Sequence, residues 1–270
     1  MRLVRFLVGG QVRYGVVEGD RVRELLRPYW EGVTPMETVH ALAEVRLLAP
    51  VRPSKMLCVG LNYRDHAREM GLALPDEPVL FLKPASALAG PGEPIVYPKM
   101  AGRVDYEAEL AIVIGRRARN VPIEEADAAI LGYTCFNDVT ARDLQSKDGQ
   151  WTRAKSFDTF GVVGPWIETR PGDPGRLAVA CRLNGAVKQK SSTDQLAFNC
   201  QYLVSWASRV MTLEPGDVIA TGTPSGIGPM KPGDTVEVEV EGIGVLTNTI
   251  VAEPASPTGR MAGAAPAAIL

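Results

Sequence analysis

The stretch VDYEAELAIVIG, from Val104 to Gly115, alternates like a β-strand but carries two glutamates. Successive side chains of a strand point to opposite faces, so Glu107 and Glu109 share one face and lie about 6–7 Å apart. That face continues with Ala111 and Val113, and apolar residues fill the other. Carboxylates are rarely buried unless they are paired or bind a metal. The stretch therefore predicts a strand of a sheet-rich fold whose glutamates are candidates for a buried acidic site.

The next apolar strand along the chain ends on a third carboxylate. The segment GYTCFNDVTARDLQ (132–145) runs from a strand into Asn137 and Asp138, and then into a short helical pattern. Three carboxylates without a cysteine or histidine in the same motifs are the hard oxygen ligands that magnesium, manganese or calcium prefers. A cation would also remove the repulsion that otherwise raises the pKa of one glutamate. The alternative is that both glutamates face solvent on an edge strand and that Asp138 caps a helix.

The chain has only two histidines, and both lie in patterns that favour a helix. His66 lies in NYRDHAREMG (62–71), which ends on a glycine suited to a helix C-cap. In a helix His66 and Glu69 share a face, and a carboxylate on one ring nitrogen makes the imidazole a better general base. The alternative is an ion pair on the surface. His40 lies in METVHALAEV (36–45) and is predicted to be a partly exposed helical residue.

Two further stretches can bind negative charge. DVIATGTPSGIG (217–228) is a strand that opens into a glycine-rich loop, whose N–H groups and hydroxyls, Thr223 among them, can hold a carboxylate. The loop lacks the lysine of a nucleotide phosphate loop, and a tight turn is the alternative. WTRAKSFDTFG (151–161) places Lys155 among aromatic and small residues. This lysine either stabilises a developing oxyanion or lies along the surface with its ammonium group in water.

Composition excludes several classes of protein. The chain of 270 residues is 46% hydrophobic, which is enough for a large core, and its net charge of −2 gives no sign of a nucleic-acid surface. The cysteines show no paired spacing, as expected of reduced thiols in a cytoplasmic protein: Cys58, Cys135, Cys181 and Cys200. The N-terminus is too charged for a signal peptide, and no apolar run approaches the ~20 residues of a membrane span. We expect no membrane or nucleic-acid partner.

The pattern of strands and turns predicts a small N-terminal domain over residues 1–52, a larger β-rich domain over 53–253 and a disordered tail over 254–270. The N-terminal domain contains a hairpin, RLVRFLV-GG-QVRYGVV, and a third strand, RVREL. The strands predicted for the larger domain are 55–60, 78–83, 105–115, 130–138, 177–185, 217–222, 234–242 and 244–252. The predicted helices are 36–45, 62–71, 122–130 and, longest of all, 192–211.

Taken in order, these motifs resemble the fumarylacetoacetate hydrolase family. The resemblance covers roughly Lys55 to Val251 and rests on GLNYRDHAREMG, LFLKPASAL, DYEAELAIVIG, GYTCFNDVTARDLQ, KSFDTFGVVGPW and TGTPSGIGPMKPGD. It implies a mixed, β-rich α+β fold of the β-roll type with a small N-terminal domain. It also implies a divalent metal, Mg²⁺ or Mn²⁺ with Ca²⁺ as a further option, and a homodimer.

The resemblance also assigns roles to individual residues. The metal ligands it implies are Glu107, Glu109 and Asp138. The catalytic residues it implies are His66, Glu69 and Lys155, the first two on a segment that closes over the substrate. The substrate-binding residues it implies are Arg142, Gln145 and Thr223. A metal-binding module without catalytic activity would not need His66 and Glu69, so their presence favours an enzyme.

The implied substrate is a 2-oxo acid. Its carboxylate and 2-oxo oxygen can chelate a metal, which then stabilises an enolate during isomerisation, hydrolysis or decarboxylation. The compact size and the SFDTFG stretch resemble bacterial members that act on 2-hydroxyhepta-2,4-diene-1,7-dioate and related diacids of aromatic catabolism. The sequence therefore predicts an isomerase of such a diacid. The alternative is an acylpyruvate or fumarylpyruvate hydrolase, or an oxaloacetate decarboxylase, with the same site.

Overall fold

Strands dominate the computed structural model, which describes residues 1–255. The strands are β1 (Arg2–Val8), β2 (Gln11–Glu18), β3 (Arg21–Leu25), β4 (Pro35–Ala41), β5 (Arg46–Leu48), β6 (Met56–Gly60), β7 (Val79–Lys83), β8 (Leu88–Ala89), β9 (Ile95–Tyr97), β10 (Val104–Tyr106), β11 (Ala108–Ile114), β12 (Ile130–Asp138), β13 (Thr140–Ala141), β14 (Gly161–Glu168), β15 (Ala178–Leu183), β16 (Ala186–Ser192), β17 (Val218–Ala220), β18 (Gly228–Met230), β19 (Thr235–Val240) and β20 (Gly244–Ala252). The α-helices are α1 (Arg64–Met70), α2 (Arg142–Asp148), α3 (Thr152–Lys155) and α4 (Cys200–Val210). Short 3₁₀ helices cover Tyr29–Glu31, Leu42–Glu44, Ala85–Ala87, Ile123–Ala129 and Thr193–Gln195. This content confirms the predicted sheet-rich α+β fold class.

Three sheets organise these strands. The main sheet has the order β4-β3-β2-β1-β14-β12-β11-β17-β6-β7, with β5 beside β1 and β8 beside β14. A second sheet has the order β16-β15-β19-β20-β9, and a third has the order β13-β10-β18. The N-terminal hairpin extends the main sheet, because β1 pairs with β14 and the N-terminal amine lies 2.5 Å from Glu168 Oε1. A domain boundary at residue 52 stays a prediction. The predicted tail falls largely on residues 256–270, outside the described part.

Strand β11 lies inside the main sheet, between β12 and β17, and all seven of its residues are buried. Leu110 and Ile112 pack into the larger hydrophobic core, whereas Ala111 and Val113 pack into a second core on the opposite face. The predicted alternation is therefore correct. Because β11 has neighbours on both sides, the alternative of a solvent-facing edge strand is wrong.

The segment METVHALAEV is not a helix, so this prediction is wrong. Residues Pro35–Ala41 form β4, and only Leu42–Glu44 make a 3₁₀ turn. Strand β4 pairs antiparallel with β3 and places His40 opposite Val22. Thr38 and Val39 are β-branched and suit a strand, and the pairing with β3 gives the backbone of β4 its hydrogen-bond partners.

The longest predicted helix is shorter than expected. Helix α4 begins at Cys200, after Asn199, whose side chain caps it by accepting a hydrogen bond from Tyr202 N at 2.9 Å. Before the cap, the Asn62 side chain accepts a hydrogen bond from Phe198 N (2.8 Å) and donates one to Phe198 O (3.0 Å). These contacts hold the preceding residues outside the helix.

The other helix predictions agree better with the structure. Helix α1 falls within 62–71 and ends at Gly71, whose φ of 64° is the left-handed conformation of a C-cap glycine. Residues Ile123–Ala129 are helical, in the 3₁₀ form. The sequence patterns did not identify β14 or β16 as strands. No helix among residues 1–255 combines the length and apolar character needed to cross a membrane.

Candidate active site

Three carboxylates meet where β11 and β12 lie side by side. Glu107 occupies the break between β10 and β11, Glu109 is the second residue of β11, and Asp138 is the last residue of β12. The antiparallel pairing brings them together, since Asp138 N donates to Glu107 O at 2.9 Å. One oxygen of each carboxylate lies within 4.8 Å of the others, and all three residues are buried. Segments distant in sequence thus form the acidic cluster that the strand patterns suggested.

The two glutamates of the cluster differ in electrostatic environment. Burial, together with the charges of Asp138 and Glu107, raises the pKa of Glu109 well above its usual range, although Gly222 N donates to it at 2.7 Å. Burial acts in the same direction on Glu107, but Lys155 and Arg142 outweigh it and lower the pKa of Glu107 to about 2. Glu109 therefore lacks the cationic partners that Glu107 has.

Two cationic side chains of the pocket lining, Lys155 and Arg142, form ion pairs with the acidic cluster. Lys155 Nζ lies 2.7 Å from Asp138 Oδ2 and 3.0 Å from Glu107 Oε2. These carboxylates raise the pKa of Lys155 despite its burial. Arg142 contacts Glu107 Oε1 and donates to Asp105 Oδ2 at 2.9 Å, a buried partner that the sequence patterns did not single out. Lys155 is therefore buried beside the cluster, and the alternative of a surface lysine is wrong.

Lys83 is a third cation, which the sequence analysis missed. It is fully buried at the end of β7, and its Nζ lies 2.6 Å from Asp138 Oδ1. The same Nζ donates to the carbonyl oxygens of Val139, Lys155 and Phe160 at 2.7–2.9 Å. A lysine that ends an apolar strand was the available signal in LFLKPASAL, but the carbonyl groups that it contacts lie 56–77 residues away along the chain.

The acidic cluster fits a divalent cation. Asp138 Oδ1 is buried, and its polar contact among the described residues is the Lys83 ammonium at 2.6 Å, so the second lone pair of this oxygen is available to a cation. Glu109 is repelled by its two neighbours, and a cation would relieve that repulsion. Carboxylate oxygens alone make up the donor set, which suits the hard cations Mg²⁺, Mn²⁺ and Ca²⁺ and does not choose among them.

Helix α1 places the predicted base at the same site. His66 Nδ1 lies 3.0 Å from Glu69 Oε2, and the Glu69 carboxylate also accepts a hydrogen bond from Gly226 N at 3.0 Å. The helix is fastened to the protein because Ser191 Oγ donates to Asp65 Oδ2 at 2.5 Å. The His66 side chain is 12% exposed and lines a pocket, whereas its partner Glu69 is 40% exposed and faces solvent.

Eight of the nine predicted site residues line one pocket of about 290 Å³, and the ninth, Glu69, contacts the pocket through His66. Gln145 reaches it beside Arg142, which donates to Gln145 Oε1 at 2.5 Å. Thr223 lies in the glycine-rich loop, where its hydroxyl donates to Ala108 O and accepts from Gln189 Nε2. This loop is therefore part of the site as well as a turn.

Comparisons with known proteins identify the family to which the chain is similar. The model of the fumarylacetoacetate (FAA) hydrolase C-terminal family matches residues 55–251, and a model named Rv2993c-like, N-terminal, matches residues 1–50. A mitochondrial oxaloacetate tautomerase of Bos taurus, FAHD2A, is 45% identical over 77% of this chain and 70% of its own length.

Solved structures show the same likeness. The 5-carboxymethyl-2-hydroxymuconate delta-isomerase of Mycobacterium smegmatis is 47% identical, with a TM-score of 0.89 over 94% of this chain and 100% of its own. The 2-hydroxyhepta-2,4-diene-1,7-dioate isomerase of Mycobacterium marinum is 46% identical, with a TM-score of 0.87 over 94% of this chain and 99% of its own. With a family model that matches most of its length, the chain belongs to the fumarylacetoacetate hydrolase family.

Proposed function

We propose that this protein is a divalent-metal-dependent isomerase that moves a proton within an unsaturated 2-oxo or 2-hydroxy diacid of the 2-hydroxyhepta-2,4-diene-1,7-dioate type. One observation carries the proposal: an acidic cluster suited to a cation and a glutamate-bound histidine line the same small pocket. The similarity to two isomerases at 46–47% identity supports this choice of reaction.

Different polar residues of the pocket bind different groups at the acid end of the substrate. Glu107, Glu109 and Asp138 would hold the cation, which when bound supplies a Lewis acid for negative charge on the substrate's 2-oxo oxygen. Lys155 Nζ, beside the same carboxylates, shares in stabilising that charge. Arg142 is placed beside the cluster to orient the substrate's carboxylate.

His66 moves the proton. Its Nδ1–H donates to Glu69, which leaves Nε2 as the basic nitrogen. In an isomerisation, Nε2 takes a proton from one position of the substrate and returns it to another, so the molecule keeps its composition. In a hydrolysis, the same nitrogen would instead take a proton from water.

A second candidate function is the keto–enol tautomerisation of oxaloacetate. The similarity to the Bos taurus tautomerase favours it. The chemistry is closely related, because a proton again moves between a carbon and the 2-oxo oxygen of one molecule. The two candidates differ in the length and saturation of the substrate beyond C3.

A substrate panel with Mg²⁺ or Mn²⁺, read by mass spectrometry, tests the proposal. The panel contains 2-hydroxyhepta-2,4-diene-1,7-dioate, fumarylpyruvate, acetylpyruvate and oxaloacetate. We expect the diene diacid to react fastest, without a change of mass in H₂O and with deuterium on carbon in D₂O. Uptake of water with carbon–carbon cleavage, or loss of carbon dioxide from oxaloacetate, as the fastest reaction would contradict the isomerase. Fastest decay of the oxaloacetate enol would support the second candidate.

We also propose a cytoplasmic homodimer, on the basis of the family resemblance. Light scattering coupled to gel filtration is expected to give twice the mass of the 29.0 kDa chain. A monomer at micromolar concentration would contradict the dimer and would leave the proposed reaction unaffected.

A further inference from the structure

The pocket has two chemically different parts. Apart from His66, the cationic side chains that line it within residues 1–255 are Lys155 and Arg142, and both are bonded to carboxylates of the acidic cluster. The remaining wall is largely apolar, formed by Val59, Leu61, Met70, Leu72, Phe81 and Trp151. The charged groups are therefore gathered at one side, where the acid end of the substrate binds under the proposed function.

Two aromatic side chains of the pocket, Phe81 and Trp151, contact each other, and Phe81 also contacts Lys155 of the charged side. Lys155 Nζ lies 4.9 Å from the centre of the Phe81 ring. The Trp151 ring stands edge-on to Phe81, with 5.2 Å between ring centres and 78° between planes. We call Phe81 and Trp151 the aromatic wall. It presents apolar ring surface to whatever part of a ligand extends beyond the metal-binding groups.

Backbone contacts fix the position of Trp151 in the aromatic wall. Trp151 lies directly before helix α3, and its carbonyl oxygen accepts the N–H of Lys155 at 3.0 Å, so both belong to one turn. The Trp151 ring also covers Gly60, where a Cβ atom would lie only 2.8 Å from the ring. Glycine at position 60 therefore allows the ring to close against β6.

Two exposed apolar side chains belong to the same part of the pocket. Met70 is 52% exposed and Leu72 is 55% exposed, and both line the pocket at the end of helix α1. An apolar segment of a ligand between them and the aromatic wall would remove this surface from water, which favours binding. A carboxylate in the same place would lose hydration, and the cationic side chains of the lining are already paired: Lys155 and Arg142 with the acidic cluster, and His66, one helical turn before Met70, with Glu69.

We propose that the aromatic wall, and not a second anion-binding group, recognises the remote end of the substrate. This inference rests on the proposed function, which places the 2-oxo acid end at the acidic cluster. The predicted class of substrate is a 2-oxo or 2-hydroxy acid with a flat, unsaturated chain beyond C3. A second carboxylate at the far end of that chain stays in water at the pocket mouth and adds little to binding.

Binding of two matched acids tests this inference without turnover. 2-Oxohexanoate and 2-oxohexanedioate have the same chain length and differ only in the terminal carboxylate. In titration calorimetry with the Mg²⁺-loaded protein, we expect the monoacid to bind at least as tightly as the diacid. Trp151→Ala should weaken both by about 10–100-fold, and Trp151→Phe should recover most of the loss. A diacid bound more than tenfold tighter than the monoacid would overturn the inference.

Kinetics give a second readout. We expect Trp151→Ala to lower kcat/KM for 2-hydroxyhepta-2,4-diene-1,7-dioate at least ten times more than for oxaloacetate, mainly through KM, because the shorter acid does not reach the ring. Trp206→Phe, on helix α4 and outside the pocket lining, is the control that should leave this ratio unchanged. An equal loss for both substrates would show that Trp151 only supports the fold. A wild-type protein that binds the oxohexanoates as expected but isomerises neither substrate would refute the proposed function and leave the aromatic wall standing.

Discussion

Glu109→Gln is expected to abolish metal-dependent turnover, with kcat/KM lowered by at least about 10³-fold, which corresponds to the several kcal/mol that a Lewis acid contributes. Glu109 supplies one of three carboxylates whose oxygens lie within 4.8 Å of one another. Glutamine keeps the shape and an oxygen for the hydrogen bond from Gly222 N, but it removes the charge that attracts a cation. Turnover and metal affinity should therefore fall together.

The same substitution should leave the metal-free protein at least as stable as the wild type. Glu109 is buried beside two other carboxylates, and removal of its charge relieves their repulsion. Calorimetric titration with Mg²⁺ and Mn²⁺ should show weakened binding, while the melting temperature without metal is unchanged or higher. Full activity after exhaustive chelation, or unchanged metal affinity in Glu109→Gln, would contradict the metal site.

Asp217→Asn is the matched control for Glu109→Gln. Asp217 is also a fully buried carboxylate, but it accepts hydrogen bonds from Ser54 N (2.9 Å) and Glu214 N (2.8 Å) and pairs with Lys55 at 2.5 Å. It does not line the pocket. We expect this substitution to lower the melting temperature and to leave metal affinity unchanged, which is the opposite pattern.

His66→Ala is expected to lower kcat by roughly 10²–10⁴-fold, the usual contribution of a positioned general base. The reason is the loss of Nε2, the nitrogen that Glu69 leaves basic by accepting the Nδ1–H. Metal affinity should not change, because the candidate metal ligands are the three carboxylates of the cluster and His66 is not one of the ligands. Steady-state kinetics at saturating Mg²⁺, together with the same calorimetric titration, measure both quantities.

The second histidine provides a close control. His40 is also paired with a glutamate, because its Nε2 lies 2.7 Å from Glu24 Oε1, but it lies on β4 and outside the pocket lining. His40→Ala should leave kcat within about twofold. Glu69→Gln should fall between the two, since the imidazole loses its carboxylate partner but remains in place. Wild-type turnover by His66→Ala would remove His66 from the mechanism.

Much of the site could be predicted from local sequence because its features depend on neighbouring residues. The two-residue spacing of Glu107, just before β11, and Glu109, inside it, brings their carboxylates together, and the three-residue spacing in α1 brings His66 to Glu69. The catalytic, metal-binding and substrate-binding roles of these residues stay predictions. The local pattern was misleading in residues 36–45, where the helical spacing of apolar residues was outweighed by the pairing of β4 with β3.

The amino-acid sequence alone predicts the sheet-rich fold class, the family and the chemical nature of the candidate ligands, because these depend on periodicity and on motifs taken in order. Which charged side chains contact one another depends on how distant segments pack in the folded protein. Lys83 is adjacent in the chain to Leu82 and Pro84, yet the fold places its Nζ 2.6 Å from Oδ1 of Asp138, the last residue of β12. The resemblance distinguished His66 from His40 before the fold was known, and the structure adds that His66 lines the pocket whereas His40 lies on β4, paired with Glu24. The physical reason is that a buried charge requires a partner, and chain folding brings that partner from elsewhere in the sequence.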